Sequence, residues 1–416
     1  MKVVHFNTFE GGGGAGKASL ALHRELLALG VDATLIVHRK TTLEPSVVGL
    51  PPAWHGLFNN KLIPRFLSAL HFVLYRPLET WSFGLFGNNS IIQHSKVKEA
   101  DIISLSWVSW FLDIDSIGQL LKQRKPVVWT CYDMWAFTGG CHYAGNCDLY
   151  TTNCGSCPQL GHANSWAISQ WLWKKKQKSW DTTNLTIVCA SHWLTDSARN
   201  SALLEKVRVE VIPTGIDVSV FKPMSKADAR NLLGLPLDKK LVLFIASRGF
   251  ANERKGGKLL EESMNILYSI HQGALPDIVV LGQRQSNSSV QNKFTLHPRE
   301  FNDDLSLARL YAACDVLVAP SKADNLPLTV LQSMACGTPC VAYDVGGMRD
   351  VIEHSNNGYL AQPFDVKDFA LGIDFILTDE SRHDSLSKAC INKIHTGFTS
   401  KHEAQAYVRL YEELLL

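Results

Sequence analysis

No apolar run in this 416-residue sequence is long enough to cross a bilayer. The longest worth weighing, FLSALHFVLY at residues 66–75, is broken by Ser68 and His71 and reaches half the roughly 20 residues a spanning helix needs. The N-terminus, Met1-Lys2-Val3-Val4-His5-Phe6, turns polar before an apolar stretch of about 7–15 residues is complete, so no secretory leader is expected. Charge of one sign is also missing. Lys and Arg number 41 against 39 Asp and Glu, a formal net charge of +2 that gives no sign of nucleic-acid binding. Ten Cys are far too few for a disulfide scaffold of this length. Tryptophan is absent after Trp193, all eleven lying between Trp54 and Trp193. These absences point to a cytoplasmic, reducing-compartment protein whose halves are built differently.

What is present is a composition for packed interiors: 46% hydrophobic and 19% charged residues. Single cores stop growing beyond about 250–300 residues, so two domains are expected. The stretch at residues 54–86 is rich in aromatics and Leu, with scattered Lys and Arg. It reads either as a buried or loop-covering helix or as an amphipathic surface resting on the inner face of a membrane. The run Lys174-Lys175-Lys176-Gln177-Lys178 could assist the second reading or be a solvated helix face.

Short β-rich runs at residues 3–6, 34–37, 102–105, 127–130 and 186–190 alternate with helical stretches, and read as buried parallel strands. The pattern restarts at residues 241–246, 278–281, 316–319 and 340–343, with helices near 257–271, 305–313 and 327–336. Two such sets predict an α/β protein of two doubly wound, Rossmann-like domains. The Pro- and Gly-punctuated segment Ile212-Pro213-Thr214-Gly215-Ile216-Asp217 reads as the linker. The expected organisation is an N-terminal domain at 1–215, a C-terminal domain at 216–395, and a final helix at 396–416 packing back on the first domain. Ligands of open α/β sheets bind beyond the carboxyl ends of the strands, so two facing domains would place the site in their cleft.

After the first strand, Gly11-Gly12-Gly13-Gly14-Ala15-Gly16-Lys17-Ala18-Ser19 opens a helix. It nearly matches the phosphate-cradling G-x-x-x-x-G-K-[ST], but Ala18 stands where Mg²⁺ chemistry needs a hydroxyl. A one-residue shift rotates a helical side chain by about 100°, so Ser19 cannot substitute. A P-loop nucleotidase is therefore disfavoured. Gly13 and Gly14 remain able to let a ligand approach a helix N-terminus, and a bare tight turn is the alternative.

Three features of the second half converge on a nucleoside diphosphate. Ser247-Arg248-Gly249-Phe250 and Arg254-Lys255-Gly256-Gly257 follow a strand and open a helix, setting cations at a glycine-rich N-terminus. Ala319-Pro320-Ser321-Lys322-Ala323-Asp324-Asn325-Leu326-Pro327 ends a strand and begins another helix, with Pro327 in the first turn. Met334-Ala335-Cys336-Gly337-Thr338-Pro339-Cys340-Val341-Ala342 leads into Asp344-Val345-Gly346-Gly347, a helix end, a strand and a glycine turn.

These motifs resemble those of the retaining GT-B glycosyltransferases of family 4, with their P-S…E-G-F-G-L-P-x-x-x-E-A-M-A-C-G-T-P-V-V-A…G-G. The linker resembles the family's I-P-N-G-I-D, with Thr214 for Asn, and Asn357-Gly358-Tyr359-Leu360 its N-G-x-L turn. Thr130-Cys131-Tyr132-Asp133-Met134-Trp135-Ala136-Phe137-Thr138-Gly139-Gly140-Cys141-His142-Tyr143 is similar to the branch that makes bacterial exopolysaccharide or colanic-acid-like polymers. The resemblance implies a GT-B fold and a nucleotide-sugar donor. It also implies a glycan or polyprenyl-linked acceptor held by the first domain, and transfer without a metal or other cofactor. Lys255 and Arg248 would neutralise the donor diphosphate, and the helix beginning at Leu326 and Pro327, with Asn325 before it, would aim its amides at it. Asp324 and Gln332 occupy the two acidic positions of the E-x7-E motif, near the donor sugar and the ribose. His142 and the glycine loop would face the ligands.

Two departures stand out: Gln332 is neutral where the family uses Glu, and Tyr132 precedes Asp133 where the branch shows His. They motivate a second reading, a GT-B protein that binds sugar nucleotide or glycan without turnover. Read without the family, Asp324 could be a helix-start cap, and Lys255 and Arg248 solvated surface. Cys141, Cys147, Cys154 and Cys157, spaced C-x5-C-x6-C-x2-C, suit a structural zinc knot, with His142 and His162 as spare ligands. A disulfide pair or unliganded thiols are the alternatives. The remaining six Cys read as small core residues.

Overall fold

The computed structural model describes residues 1–50, 80–85, 87–161, 168–271, 275–282, 294–301 and 303–416. It divides into two compact units, Met1–Ile212 with Ala404–Leu416, and Pro213–Glu403. Of the aromatic-rich stretch at 54–86, most lies outside the described residues, as do residues 66–75 and His162. Among the described residues no helix is long and apolar enough to cross a membrane.

Among the described residues the first unit carries seven strands: β1 (Lys2–Phe9), β2 (Asp32–Arg39), β3 (Val47–Gly49), β4 (Ile102–Leu105), β5 (Val127–Cys131), β6 (Leu185–Cys189) and β7 (Arg208–Val211). They form one parallel sheet in the order β3-β2-β1-β4-β5-β6-β7. Every residue of β4, β5 and β6 is buried, which explains runs such as IISL and LTIVC with no polar alternation. Helix Gly13–Ala28 buries Leu20, Leu22 and Leu26 against the sheet. On that face Leu22 and Leu26 meet Val3, Val128, Val188 and two tyrosines of the C-terminal helix Ser400–Leu415, Tyr407 and Tyr411. The tyrosine hydroxyls find partners in the sheet, Tyr407 with Thr130 Oγ1 at 2.6 Å and Tyr411 with Ser104 Oγ at 3.3 Å. That satisfies polar groups whose burial would otherwise cost stability.

The second unit carries β8 (Leu241–Ile245), β9 (Asp277–Leu281), β10 (Leu296–Arg299), β11 (Val316–Ala319), β12 (Cys340–Tyr343) and β13 (Gly358–Ala361). They form a parallel sheet in the order β10-β9-β8-β11-β12-β13. Val242, Phe244, Val280, Val318 and Tyr343 pack beneath Leu260, Met264 and Phe369. Pro298 is tolerated in β10 because that strand is an edge. Residues 357–360, expected as a turn, instead lead into edge strand β13, paired with β12.

The I-P-T-G-I-D segment is tied to the end of this unit. Ile216 bridges Thr399, and the Gly215 N–H donates to Glu403 Oε2 at 2.8 Å. Glu403 is buried, and burial pushes its carboxyl up to about 8 despite that hydrogen bond. The folded chain therefore holds a proton that the unfolded chain releases between about pH 4.5 and 8. The stability this proton contributes is complete below that window and lost as pH rises through it. Glu403→Gln should flatten the decline. At about 1.4 kcal/mol per pKa unit the variant should be a few kcal/mol more stable than wild type at pH 9, and near wild type at pH 5. Denaturant unfolding at the two pH values checks this, and parallel profiles would refute it.

Candidate functional site

Open α/β sheets bind ligands where the strand order reverses. In the second unit that is the gap between β8 and β11. The loop after β8 is shaped by Asn252, whose Oδ1 accepts the Lys255 N–H at 2.9 Å while its Nδ2 donates to Ser247 O at 3.0 Å. This clasp delivers Lys255 to the loop after β11, where its Nζ lies 2.6 Å from Asp324 Oδ2. Ser321 Oγ donates to the same oxygen at 3.2 Å, and Arg254 Nη1 stands 3.5 Å from it. Burial alone would raise the Asp324 carboxyl, but the charges of Lys255 and Arg254 outweigh it and hold the group below the usual carboxylate range.

Backbone contacts lock the loops together. Lys322 N–H donates to Arg254 O at 2.8 Å, and Gly347 N–H, from the turn after β12, donates to Asn325 O at 2.8 Å. Two glycines permit the approach. A Cβ on Gly256 would lie 1.8 Å from Pro320 O, and one on Gly346 would lie 1.8 Å from Asp324 O. Both hold positive φ, +74° and +59°. Helix Leu328–Ala335 starts one residue beyond Pro327, its N-cap, and no side chain caps it. Asp324 is therefore an ion-pair partner and not the helix cap. Lys255, Ser321, Pro327 and Thr329 line one small cavity over the carboxyl ends of β8 and β11. An ammonium with donors beyond its one carboxylate bond, beside uncapped helix amides, suits an anion. Arg248, at the start of the loop, is exposed, with φ +68° and its N–H on Gly282 O at 3.0 Å.

In the first unit, Gly13 and Gly14 are exposed at the start of helix Gly13–Ala28. Buried Glu10, just before them, is held by the hydroxyls and amides of Thr41 and Thr42. His142 is held within the first unit. It is buried, its Nδ1 2.6 Å from Asp133 Oδ2 and its Nε2 2.8 Å from Ser82 Oγ. With both ring nitrogens occupied, it serves as a fixed strut. The run at 174–178 is not one solvated face either. Lys175 pairs with Asp115 at 2.6 Å, while Lys176 is buried, donating to Trp135 O and Thr138 O with its ammonium 3.9 Å from the Trp135 ring centre.

Cys141, Cys147, Cys154 and Cys157 do converge, lining one small cavity with Trp81 and Tyr150. The geometry nevertheless does not support the expected zinc knot. Among the described residues no three Cys, His, Asp or Glu are arranged to hold a metal ion. Cys154 Sγ accepts the Gly139 N–H at 3.1 Å, and burial pushes the thiols of Cys141 and Cys154 above their ordinary value. The other six Cys are buried free thiols, as expected.

A family model described as Glycosyltransferase Family 4 matches residues 12–220, half of the chain, and one described as Glycosyl transferases group 1 matches residues 226–393. The chain belongs to glycosyltransferase family 4. Among curated relatives, a D-inositol 3-phosphate glycosyltransferase from Stackebrandtia nassauensis is 30% identical over 225 residues, 50% of this chain and 49% of the relative. One from Mycolicibacterium smegmatis is 27% identical over 221 residues, 51% of this chain and 49% of the relative. This chain thus spans about half the length of the curated relatives it matches. Among solved structures, a sucrose-phosphate synthase from Thermosynechococcus elongatus aligns with TM-score 0.68 at 20% identity, covering 99% of this chain and 98% of that one. Anabaena HepE, solved in complex with UDP-glucose, aligns with TM-score 0.63 at 14% identity, covering 99% and 100%. With two parallel Rossmann-like sheets in one chain, these likenesses establish the GT-B fold.

In this family 4 chain, Gln332 is buried in the helix behind Asp324, and its Oε1 accepts the Tyr311 hydroxyl at 3.0 Å. A carboxamide whose oxygen is taken still offers N–H donors. Arg254 and Ser321 lie within the motifs read from the sequence, Arg254 among its cations, but neither was assigned a place in the site. Asn252 was not singled out, and its one local signal is a side chain able to accept the N–H three residues on.

Proposed function

We infer that this chain transfers a glycosyl group from a nucleoside diphosphate sugar, with retention of anomeric configuration, to a glycan or polyprenyl-linked glycan in surface polysaccharide synthesis. The observation that carries the reading is the Lys255–Asp324 pair, with Arg254 beside it, at the strand-order reversal of the second unit. In the reaction the bond from the anomeric carbon to the diphosphate oxygen breaks and a bond to the acceptor oxygen forms. The acceptor proton leaves with the diphosphate. Charge grows on the leaving group, so fixed cations and helix amides lower the barrier more than they stabilise the bound donor. Lys255, Arg248 and Arg254 supply the cations, and Leu328 begins the amide-bearing turn. Asp324 holds Lys255 and faces the donor sugar, while Gln332 donates to the ribose.

Family membership supports the transferase class, and the UDP-glucose complex of Anabaena HepE makes uridine diphosphate sugars the first donors to try. The curated relatives' names add inositol 3-phosphate to the acceptors worth testing. The second reading, a non-catalytic sugar-nucleotide or glycan-binding protein, rests on Gln332 and Tyr132. Release of free nucleoside diphosphate from a donor–acceptor mixture separates the two.

A further inference from the structure

We propose that Tyr311 is a positioning residue that fixes the Gln332 carboxamide as a hydrogen-bond donor, so that this chain reads a ribose oxygen as an acceptor. The inference rests on the nucleotide-sugar reading above and deepens it. The family uses Glu at this position, and a carboxylate can only accept. In this chain the direction of the hydrogen bond is reversed.

Tyr311 lies in helix Asp304–Ala313 and is fully buried. Phe221 packs edge-on against its ring, with centroids 6.3 Å apart and planes at 63°. Thr338 Oγ1 donates to Tyr311 O at 2.8 Å. Ring and backbone are both held, and the hydroxyl donates to Gln332 Oε1 at 3.0 Å, 21 residues along the chain. Only one orientation of the carboxamide satisfies this pair. Turned over, it would point an N–H at the Tyr311 oxygen and leave the phenol proton with no acceptor among the described residues. A buried donor left unpaired is costly. Burial also pushes the Tyr311 phenol well above its ordinary value, so the hydroxyl keeps the proton it donates.

The other end of the carboxamide is unspent. Gln332 is 5% exposed, and its Nε2 has no partner among the described residues, yet that atom is not sealed from solvent. Gln332 follows Thr329 by three residues, on the same face of helix Leu328–Ala335, and Thr329 lines the cavity with Lys255. Ribose is joined to the diphosphate through one ester oxygen and C5′. A diphosphate at Lys255 and the helix start therefore brings the ribose to the next turn. A ribose hydroxyl can donate or accept. Facing Gln332 it accepts the N–H through its oxygen, and its own proton is not called upon. A fluorine in its place keeps a weak acceptor of similar size but has no proton to give, so it separates the two directions of the bond.

The test is calorimetric titration of the full chain with UDP, GDP and ADP, then with the 2′-deoxy-2′-fluoro and 3′-deoxy-3′-fluoro analogues of the tightest binder. Wild type should bind both analogues within about tenfold of the parent, because an N–H donor tolerates fluorine. Gln332→Glu should bind one of them more than about tenfold worse than its own parent, since the buried carboxylate loses its donor. Tyr311→Phe keeps the ring packing but frees the amide to turn over. It should raise the discrimination against that same analogue at least about threefold over wild type. A merely structural role for Tyr311 would weaken parent and analogue alike and leave their ratio unmoved. That unmoved ratio would overturn the proposal, as would a wild type that rejects either analogue by more than about tenfold. A folded wild type that binds none of the nucleoside diphosphates would instead bring down the nucleotide-sugar reading on which the proposal rests.

Discussion

Lys255→Ala should lower transfer from a nucleoside diphosphate sugar by 10²–10³-fold, the usual loss when one preorganised donor to a developing anion is removed. Donor affinity should fall less, about 10–100-fold, because a charged hydrogen bond contributes about 1.5–3 kcal/mol to ground-state binding. The variant will also be less stable, since Asp324 is buried and keeps only Arg254 at 3.5 Å and Ser321 at 3.2 Å. Breaking a buried pair by removing one partner costs about 3–5 kcal/mol in the general case, and the remaining Arg254 should reduce that. The double variant Lys255→Ala/Asp324→Asn separates the two effects. It removes the stranded charge and should recover most of the thermal stability without recovering turnover. Turnover that returned with stability would show Lys255 to be structural only.

Gly256→Ala should be, with Gly346→Ala, among the most damaging single methyl groups in the second unit. The new carbon would lie 1.8 Å from Pro320 O, and the residue holds φ +74°. Its neighbours are backbone atoms of two stitched loops, so relief requires the loops to part and draws Lys255 away from Asp324. A loss on the order of 3–5 kcal/mol is expected, as for other steric and backbone-strain changes. For a unit of this size that lowers the unfolding midpoint by roughly 6–20 °C. Donor affinity should also fall more than tenfold at temperatures where the variant is folded. Gly234→Ala is the control. It has nearly the same φ, +61°, with nothing within 4 Å of the added carbon, so only the conformational cost of about 1–2 kcal/mol should appear. Equal midpoints for the two variants would contradict the close-approach explanation.

The central strands of both sheets were legible because burial on both faces removes polar alternation and leaves apolar runs such as VVWTC and LVLFI. Edge strands carried less signal. Val47–Gly49, Arg208–Val211 and Leu296–Arg299 are short and solvent-facing, and the last contains a proline. Lys255 and Asp324 could be read from local motifs. Their pairing could not, since they lie 69 residues apart and meet only where the strand order reverses. The anchoring of His142 was hidden for the same reason. Its partners are Asp133, nine residues away, and Ser82, sixty residues away, and nothing local shows that both ring nitrogens are occupied. The cysteine spacing brought four thiols to one cavity but did not reveal that Cys154 accepts a backbone N–H there.

The most direct test of the transferase reading is release of nucleoside diphosphate from UDP-, GDP- and ADP-sugars mixed with soluble glycans, inositol phosphate or a polyprenyl-linked glycan extract. Acceptor-dependent release is expected with one class of donor, the product keeping the donor's anomeric configuration and Lys255→Ala slowing the reaction at least a hundredfold. A folded protein that binds a nucleoside diphosphate yet releases none from any donor–acceptor pair would contradict the account and leave the non-catalytic reading in its place.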